Sequence, residues 1–444
     1  MQNIHTLKYL YSFLIFTALF LPSTAIAKAF DAKEFFLPNG MQVVLIENHR
    51  APVVTHMVWY KVGAADEDIG HSGLAHFFEH LMFKGTESVP AGEFSKRVKR
   101  LGGNDNAFTS LDYTAYFQNV PVKHLGTVMQ MEADRMRNLD VSDENIFTER
   151  DVIIEERKER VDNNPSGILR EEINSALFAN HPYRIPVIGW MSEIKSLTPD
   201  SVRAFYNKWY APNNAILVVS GNITLEELKP LAEKYYGVIP PSPLPETTYP
   251  APAPIKAEHR IKLKDPRVGS PTIQMTYRAP RGSEALQILA DAFGGHSTTP
   301  FYKSLVIDQK LAVQAGVYYS AVAKDISTFT LYALPAPGVD LETLELSIKA
   351  EVDLLLENGL PNDAINQSKQ RLIDAVNFER DSLTGPARII GRALASGFAL
   401  DDVENWPDDV KAVTKDNIYA ARDTVFNGQD KPIIGYLVPE TEIQ

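Results

Sequence analysis

Apolar and polar positions near the start of the chain follow the pattern of two strands. After the Asn39-Gly40 turn, the stretch MQVVLIE is followed by NHRAP and then by VVTHMVWY. The apolar runs are rich in β-branched and aromatic residues, and the residues between them favour a turn near 48–52. We therefore predict two strands, followed by a helix that carries the stretch GLAHFFEHLMFKG, residues 73–85.

A longer helix is predicted to begin after Ser142. This serine is suited to cap the helix, and Asp143 and Glu144 place negative charge in its first turn. The sequence Asn-Asn-Pro at 163–165 then supplies a stop signal. The pattern between these signals predicts one continuous helix.

Proline is concentrated between residues 240 and 254, where PPSPLPETTYPAPAP contains seven prolines. Proline removes an amide donor and clashes with the preceding helical turn, so this stretch is excluded from helix interiors and central strands. It predicts a semi-rigid linker at 240–256, between an N-terminal domain at 28–239 and a C-terminal domain at 257–444.

The two halves of the chain share a weak repeat. Residues 197–221 and 413–437 align without gaps at an offset of 216, and each contains Thr-x-Asp at a helix start followed by an apolar strand. Each half also opens with strands and a helix, and strand pairs are mixed with long helices. This organisation predicts an α+β fold of two structurally related domains, each a mostly antiparallel sheet packed with helices.

Residues 1–27 have the layout of a cleaved signal peptide. An apolar run from Tyr9 to Leu21 is followed by proline and by the small-residue ending Ala-Ile-Ala. The run is shorter than the ~20 residues that a spanning helix needs. We therefore expect export with cleavage after Ala27 and no stable membrane span in the mature protein.

Composition narrows the possible chemistry. The chain contains no cysteine, which excludes disulfides, thiolate nucleophiles and sulfur-bound zinc, so any metal must be bound by His, Asp or Glu. The formal net charge is -12 at pH 7. A surface this acidic argues against nucleic acid as a partner.

The stretch HFFEH places two histidines and a glutamate on the predicted helix. His76 and His80 are four residues apart and share a face, with Glu79 beside them. Two imidazoles in this arrangement can bind one metal ion, and His-x-x-Glu-His is the residue order of inverted zincins. The motif also arises by chance in about one random chain per hundred of this length. A surface helix with two unrelated histidines is therefore the alternative.

A hydrolytic zinc site needs a third protein ligand and an open position for water. On the predicted second helix, Glu149 and Glu156 are seven residues apart and so lie two turns apart on one face. Glu155 points away from Glu156 and is expected in solvent, while His71 is expected in a loop. Helical geometry alone does not choose between Glu149 and Glu156.

Five stretches of the chain together are more specific than the five-residue motif: GLAHFFEHLMFKGT, GGNDNAFTSLDYTAYF, ERDVIIEERKERVDNNPSG, HPYRIPVIGW and YAPNNAILVVSGN. With them the chain resembles the pitrilysin or insulinase metallopeptidases, which include the mitochondrial processing peptidases. The resemblance covers essentially the whole chain after residue 27. It implies an exported zinc-dependent endopeptidase that hydrolyses unfolded peptides or short polypeptides, most simply in a bacterial periplasm.

The resemblance also implies roles for individual residues. His76, His80 and Glu156 correspond to the ligands of one Zn²⁺ per chain, and Glu79 corresponds to the catalytic base that activates water. Glu149 corresponds to an acid that supports the metal ligands.

A substrate-binding strand is implied by the same resemblance. Asn106, Ala107, Phe108 and Thr109 correspond to an edge strand onto which an extended peptide adds as a further strand. The residues alone favour a simple core strand, which is the alternative.

The chain departs from the family pattern in its second half. Active members usually carry an arginine and a tyrosine in a pattern resembling Leu-Arg-(x)5-Gly/Ala-Tyr, but these positions are Val306 and Val313 here. Neither valine can donate a hydrogen bond. Three nearby tyrosines are possible substitutes, although packing is their expected role: Tyr302, Tyr318 and Tyr319. We expect a paralogous partner subunit to supply the arginine and the tyrosine. The competing hypothesis is a non-catalytic binding or scaffold subunit of such a heterodimer.

Overall fold

The computed structural model describes residues 28–440. The predicted signal peptide, residues 1–27, lies outside this part of the chain, as do residues 441–444. Within the described part, no helix combines the length and the apolar character that crossing a bilayer requires.

The first half of the described chain forms a six-stranded sheet with eight α-helices around it. Its strands are β1 (Lys33–Phe36), β2 (Gln42–Glu47), β3 (Val53–Tyr60), β4 (Asn104–Thr109), β5 (Thr114–Pro121) and β6 (Ala215–Gly221). Its helices are α1 (Leu74–Leu81), α2 (Glu93–Arg100), α3 (Leu125–Asn138), α4 (Asp143–Arg157), α5 (Pro165–Leu177), α6 (Met191–Ser196), α7 (Pro199–Trp209) and α8 (Leu225–Tyr235).

The strand order in the first sheet is β1-β2-β6-β3-β5-β4. β2 and β6 are parallel, and the other neighbouring pairs are antiparallel. The two strands predicted around the turn at 48–52 are β2 and β3, but β6 lies between them. β4 is an edge strand, so one side of its backbone pairs with β5 and the other side pairs with no strand of the described chain.

The second half of the described chain forms a five-stranded sheet with eight further α-helices. Its strands are β7 (His259–Lys264), β8 (Thr272–Ala279), β9 (Ala312–Tyr319), β10 (Ser327–Pro335) and β11 (Ile433–Val438). Its helices are α9 (Glu284–Gly294), α10 (Pro300–Tyr302), α11 (Leu341–Asn358), α12 (Asn362–Asp381), α13 (Gly385–Ala395), α14 (Leu400–Glu404), α15 (Trp406–Ala412) and α16 (Lys415–Phe426).

The second sheet repeats the topology of the first. Its order is β7-β11-β8-β10-β9, with β7 and β11 parallel and the other pairs antiparallel. This is the order of the first sheet without β1. The weak sequence repeat corresponds to α7 and β6 in the first half and to α16 and β11 in the second, and capping boxes at Thr198 and Thr414 begin the two helices. The predicted α+β fold of two related domains is confirmed.

The proline-rich stretch at 240–256 contains no helix or strand. Tyr249 donates a hydrogen bond of 2.8 Å to Asp66, and the side-chain amide of Asn180 donates one of 2.9 Å to the carbonyl of Ala251. These contacts hold the stretch against the first half.

Each half packs one helix against the sheet of the other half. Ile173 of α5 is buried in one cluster with Ile433 of β11. In the opposite direction, Ile390 of α13 is buried with Trp59 and Val218 of the first sheet. The exchanged helices cover apolar sheet faces that a domain must bury against another layer.

The helix predicted after Ser142 is α4. The Ser142 hydroxyl accepts a hydrogen bond from the amide of Asn145, and a π-helical turn at Lys158–Asp162 follows the helix. Asn164 then caps α5, at the predicted stop signal. Ile153 is buried in the first core together with apolar residues of α1, so the two helices carrying the candidate ligands pack together.

Candidate metal centre

α1 presents its two histidines on one face because its other faces are buried. Phe77, Phe78 and Leu81 are fully buried in the first core. His76 and His80 lie one turn apart, with ring centroids separated by 4.8 Å. The two imidazoles therefore lie next to each other on the side of α1 opposite its buried apolar residues.

Two features fix the start of α1. Gly73 has a φ of 93°, and a Cβ at this position would lie 2.8 Å from the carbonyl oxygen of Ile188, so glycine is required. The buried carboxylate of Glu67 accepts hydrogen bonds from the amides of Gly73 and Ala75 at 2.8 and 2.7 Å. Those amides have no partner within the helix. Sequence reasoning missed this role of Glu67, because its spacing in the sequence from His76 and His80 matches no metal-binding motif.

α4 brings a carboxylate to the two imidazoles. Oε2 of Glu156 lies 3.1 Å from Nε2 of His80 and 3.7 Å from Nε2 of His76. One ligand atom from each residue lies within 4.8 Å of the others, and within residues 28–440 no other three His, Asp or Glu side chains converge in this way. Donor atoms bound to one tetrahedral zinc-sized ion at about 2.1 Å are about 3.4 Å apart. These distances fit a shared ion, and we call the three residues the His-His-Glu cluster.

Burial supports the same interpretation. Oε2 of Glu156 is buried and accepts no well-aligned hydrogen bond, although it lies close to Nε2 of His80. Buried polar atoms usually have a partner. A cation between the three side chains would satisfy this oxygen, and a tetrahedral cation would keep one position open for water.

The second glutamate of α4 contacts the opposite side of the His80 ring. Oε1 of Glu149 lies 2.8 Å from Nδ1 of His80, and its Oε2 contacts Nζ of Lys84. In the tautomer that donates from Nδ1 to Glu149, the lone pair on Nε2 points towards Glu156. The structure therefore separates two glutamates that helical spacing left equivalent.

Cations contact both of these glutamates. Lys84 contacts Glu149, and Nε of Arg160 lies 2.8 Å from Oε1 of Glu156. Sequence reasoning missed both cations, because lysine and arginine on helices are usually solvated; the i,i+4 spacing of Glu156 and Arg160 was the one available signal. Glu155 is exposed, as expected.

Burial and neighbouring carboxylates shift the pKa values within the cluster. Burial lowers the pKa of His76, and the nearby His80 acts in the same direction. Burial opposes the charged form of His80, but its contacts with Glu149 and Glu156 outweigh burial and raise the pKa of His80 to about 9. The contact with His80 lowers the pKa of Glu156, against the effect of burial. These shifts favour the doubly protonated, cationic form of His80, and a cation bound at Nε2 would displace the proton on that nitrogen.

Glu79 lies on α1 beside the cluster and is bonded to the edge strand. The hydroxyl of Thr109 donates a hydrogen bond of 2.7 Å to Oε2 of Glu79. Burial raises the pKa of Glu79, and the bond from Thr109 opposes that shift. One carboxylate oxygen is thus held by β4, while Oε1 has no hydrogen bond to any residue in the described chain.

β4 contains the four residues expected to contact a substrate. Ala107 is buried in the first core, and the ring of Phe108 packs edge-on against Trp59 with centroids 5.3 Å apart. Asn106 is exposed, and Thr109 contacts Glu79. The side chains of Ala107 and Phe108 are therefore engaged in packing, and β4 offers mainly its backbone to a ligand.

The two valines of the second half have ordinary surroundings. Val306 packs half-buried against the second core, and Val313 is exposed at the start of β9. Among the tyrosines considered as substitutes, Tyr319 accepts a hydrogen bond of 3.1 Å from the amide of Ser283, and Tyr318 is exposed. The hydroxyl of Tyr319 is therefore engaged by the backbone of its own domain, as the expected packing role implies.

The second half has an ion pair between the two helices that correspond in chain order to α1 and α4. α9 follows β8 as α1 follows β3, and α12 follows α11 as α4 follows α3. Between α9 and α12, Asp291 and Arg371 form an ion pair of 2.6 Å. This pair joins the two helices without a group of metal-binding side chains.

Comparison with known proteins identifies the family of this chain. Residues 42–189 match the family model for insulinase (peptidase family M16), and residues 196–372 match the model for the peptidase M16 inactive domain. Zinc protease PqqE of Helicobacter pylori is 31% identical over 342 residues, which cover 75% of this chain and 76% of that protein.

Two solved structures resemble the whole described fold. A protease from Helicobacter pylori has a TM-score of 0.83 at 27% identity and covers 92% of this chain and 99% of its own. The periplasmic protease PqqL from Escherichia coli has a TM-score of 0.79 at 19% identity and covers 93% of this chain, but the match spans 48% of the PqqL chain. The chain described here belongs to the insulinase family of peptidases, peptidase family M16.

Proposed function

We propose that this chain is an exported zinc-dependent endopeptidase acting on unfolded peptides or short polypeptides. One observation carries the proposal: in a member of the M16 family, Nε2 of His76 and Nε2 of His80 converge on Oε2 of Glu156. The His-His-Glu cluster then binds one Zn²⁺, and Glu79 is the general base. The name zinc protease carried by the Helicobacter pylori relative supports the choice of metal.

The chemistry follows from the neighbouring side chains. When bound by two neutral imidazoles and one carboxylate, Zn²⁺ lowers the pKa of a water molecule to about 7 and polarises a carbonyl. Glu79 accepts the proton of the attacking water through its free Oε1 and then delivers it to the leaving amine. Thr109 holds the other oxygen, and Glu149 keeps the His80 ring in orientation.

The edge strand supports the substrate class that we propose. An extended peptide that pairs with the free side of β4 gains backbone hydrogen bonds, which carry little sequence preference. Thr109 is the last residue of β4 and contacts Glu79, so a peptide bound along this strand reaches the general base. Unfolded peptides and short polypeptides expose extended segments with unpaired backbone groups more readily than folded proteins do, so they are the favoured substrates.

We also propose a paralogous partner subunit and a periplasmic location. Val306 and Val313 cannot stabilise charge on a substrate oxygen, so a second subunit supplies the arginine and the tyrosine. The match to PqqL, which spans 48% of that chain, supports a two-unit arrangement, since the PqqL chain is long enough for two such units. The predicted leader and the periplasmic location of PqqL support export.

A non-catalytic binding or scaffold subunit is the second candidate. The two valines favour it, as does the match of residues 196–372 to a domain described as inactive. It predicts a protein that assembles with a peptidase subunit and cleaves nothing itself.

Metal analysis combined with peptide cleavage tests the proposal. The chain is isolated from its source under mild conditions, so that any partner co-purifies, and is also prepared alone. We expect about one zinc per chain, cleavage of a fluorogenic peptide by the co-purified assembly that stops with chelator and returns with Zn²⁺, and slow cleavage by the chain alone. Cleavage that is indifferent to chelator would refute the zinc mechanism. An assembly whose activity survives loss of Glu79 would favour the scaffold subunit.

A further inference from the structure

Lys84 lies just beyond α1, close to the His-His-Glu cluster but outside it. Its Nζ contacts Oε2 of Glu149, whose other oxygen lies 2.8 Å from Nδ1 of His80. The side chain of Glu149 is 7% exposed, against 27% for Lys84. Lysine, glutamate and histidine thus form a chain of contacts that ends at Nε2 of His80, 3.1 Å from Glu156.

The charges in this chain of contacts indicate that Lys84 balances the negative charge of Glu149. A histidine that binds a cation through Nε2 is a neutral ring that donates from Nδ1. Glu149 then holds a full negative charge in a buried position, and within residues 28–440 its other ion-pair partner is Lys84. A buried carboxylate without a cationic partner is strongly disfavoured. Lys84 therefore supplies the countercharge that Glu149 needs at the moment when His80 is neutral.

We propose that Lys84 is a positioning residue for the metal centre, acting through Glu149 to hold His80 in the orientation and tautomer that bind a cation. The inference rests on the proposed zinc site and deepens it. A purely structural role is the competing explanation, because the same ion pair ties the end of α1 to α4. That role predicts lower stability on removal of the lysine, with unchanged metal binding by the folded protein.

Zinc affinity and the visible spectrum of the Co²⁺-substituted protein separate the two explanations. Lys84→Met removes the charge and keeps the length of the side chain, while Lys84→Arg keeps the charge. Lys158→Met is the matched control, because Lys158 also pairs with a glutamate, Glu155, but both are exposed. Affinity is measured by competition with a chromophoric chelator, and circular dichroism checks that each variant is folded.

We expect Lys84→Met to bind Zn²⁺ about tenfold to a hundredfold more weakly, which is the range for loss of a group that supports a metal ligand. Its Co²⁺ absorption bands should shift, Lys84→Arg should recover most of the affinity, and Lys158→Met should match the wild type. If Lys84→Met does not fold, Lys84→Gln takes its place.

A double variant tests whether Lys84 acts through Glu149. Combining Lys84→Met with Glu149→Gln should weaken zinc binding no further than Glu149→Gln alone, because residues of one chain of contacts are not additive. Additive losses would overturn the proposed route. A Lys84→Met protein with affinity within twofold of the wild type and an unchanged Co²⁺ spectrum would overturn the proposal itself. Failure of the proposed function looks different, since the wild-type protein would then bind no zinc.

Discussion

The hydroxyl of Thr109 donates a hydrogen bond of 2.7 Å to Oε2 of Glu79. Thr109 is the last residue of the edge strand β4, and Glu79 lies on α1, next to His80 in the sequence. The bond therefore joins the proposed peptide-binding edge directly to the proposed general base. Because β4 is held by β5 on its inner side, the carboxylate is positioned by the sheet as well as by its own helix.

Replacing Thr109 by valine should slow catalysis without emptying the metal site. Valine keeps the shape of threonine but donates no hydrogen bond, and a hydrogen bond to a charged group contributes about 1.5–3 kcal/mol. We expect kcat to fall about tenfold to a hundredfold, with little change in zinc content. Steady-state kinetics with a fluorogenic peptide and metal analysis measure the two effects. Thr109→Ser retains the donor and is the control; equal losses in both variants would argue against the hydrogen bond.

Glu79→Gln should nearly abolish turnover while zinc remains bound. Glutamine has the size of glutamate but cannot accept the proton of water, and general acid-base catalysis contributes about 10² to 10⁴ in rate. The measurement is kcat with zinc content determined on the same sample. Glu155→Gln, on the exposed face of α4, is the matched control. Cleavage at the native rate by Glu79→Gln would refute the assigned role.

The pH dependence of activity should report the burial of Glu79. The base works in its ionised form, so activity rises as pH increases through its pKa. Burial raises the pKa of Glu79, which moves the acid limb of kcat/KM above the ordinary glutamate value of about 4.3. A pH–rate profile measures this limb. The Thr109 bond opposes the upward shift, so Thr109→Val should move the limb to still higher pH, and a downward move would contradict this account.

Glu404→Ala should destabilise the fold. The buried carboxylate of Glu404 accepts hydrogen bonds from the amides of Phe30, Asp31 and Ala32 at 2.9, 3.1 and 2.7 Å. Leaving buried donors without partners costs about 1–3 kcal/mol each, so we expect the free energy of unfolding to fall by roughly 3 kcal/mol. Urea denaturation followed by circular dichroism measures the loss. Glu404→Gln keeps one carbonyl acceptor and should lose less, and exposed Asp401→Asn should change little.

Local patterns predicted the elements of the fold more fully than their arrangement. The turn at 48–52 and the cap at Ser142 are short-range signals, and the corresponding strands and helix form. The insertion of β6 between β2 and β3 pairs residues far apart in the chain, which no local period reveals. The packing of α5 on the second sheet and of α13 on the first could not be predicted either. The apolar face of an amphipathic helix does not indicate which sheet the helix covers.

In the candidate site, too, the local arrangement was predicted from spacing and the long-range contacts were not. The spacing of His76 and His80 places both on one helical face, and the structure brings Glu156 to them. Spacing could not separate Glu149 from Glu156, because both lie on one face of α4. The structure distinguishes them because Glu149 contacts Nδ1 of His80 and Glu156 contacts Nε2. Lys84 was missed because a lysine near a helix end is usually solvated, and its contact with Glu149 depends on how α1 meets α4.

The exchanged helices also govern the order in which the chain can fold. A chain grown only through the first sheet has already made α5, whose apolar face belongs on a sheet that does not yet exist. The first sheet is covered in turn by α13, at Gly385–Ala395, which is synthesised long after its last strand, β6. Each half therefore leaves an apolar sheet face or helix face uncovered until the helix or sheet of the other half has been made. Such late completion fits the export that we propose, because a polypeptide that crosses a membrane channel stays unfolded on the way.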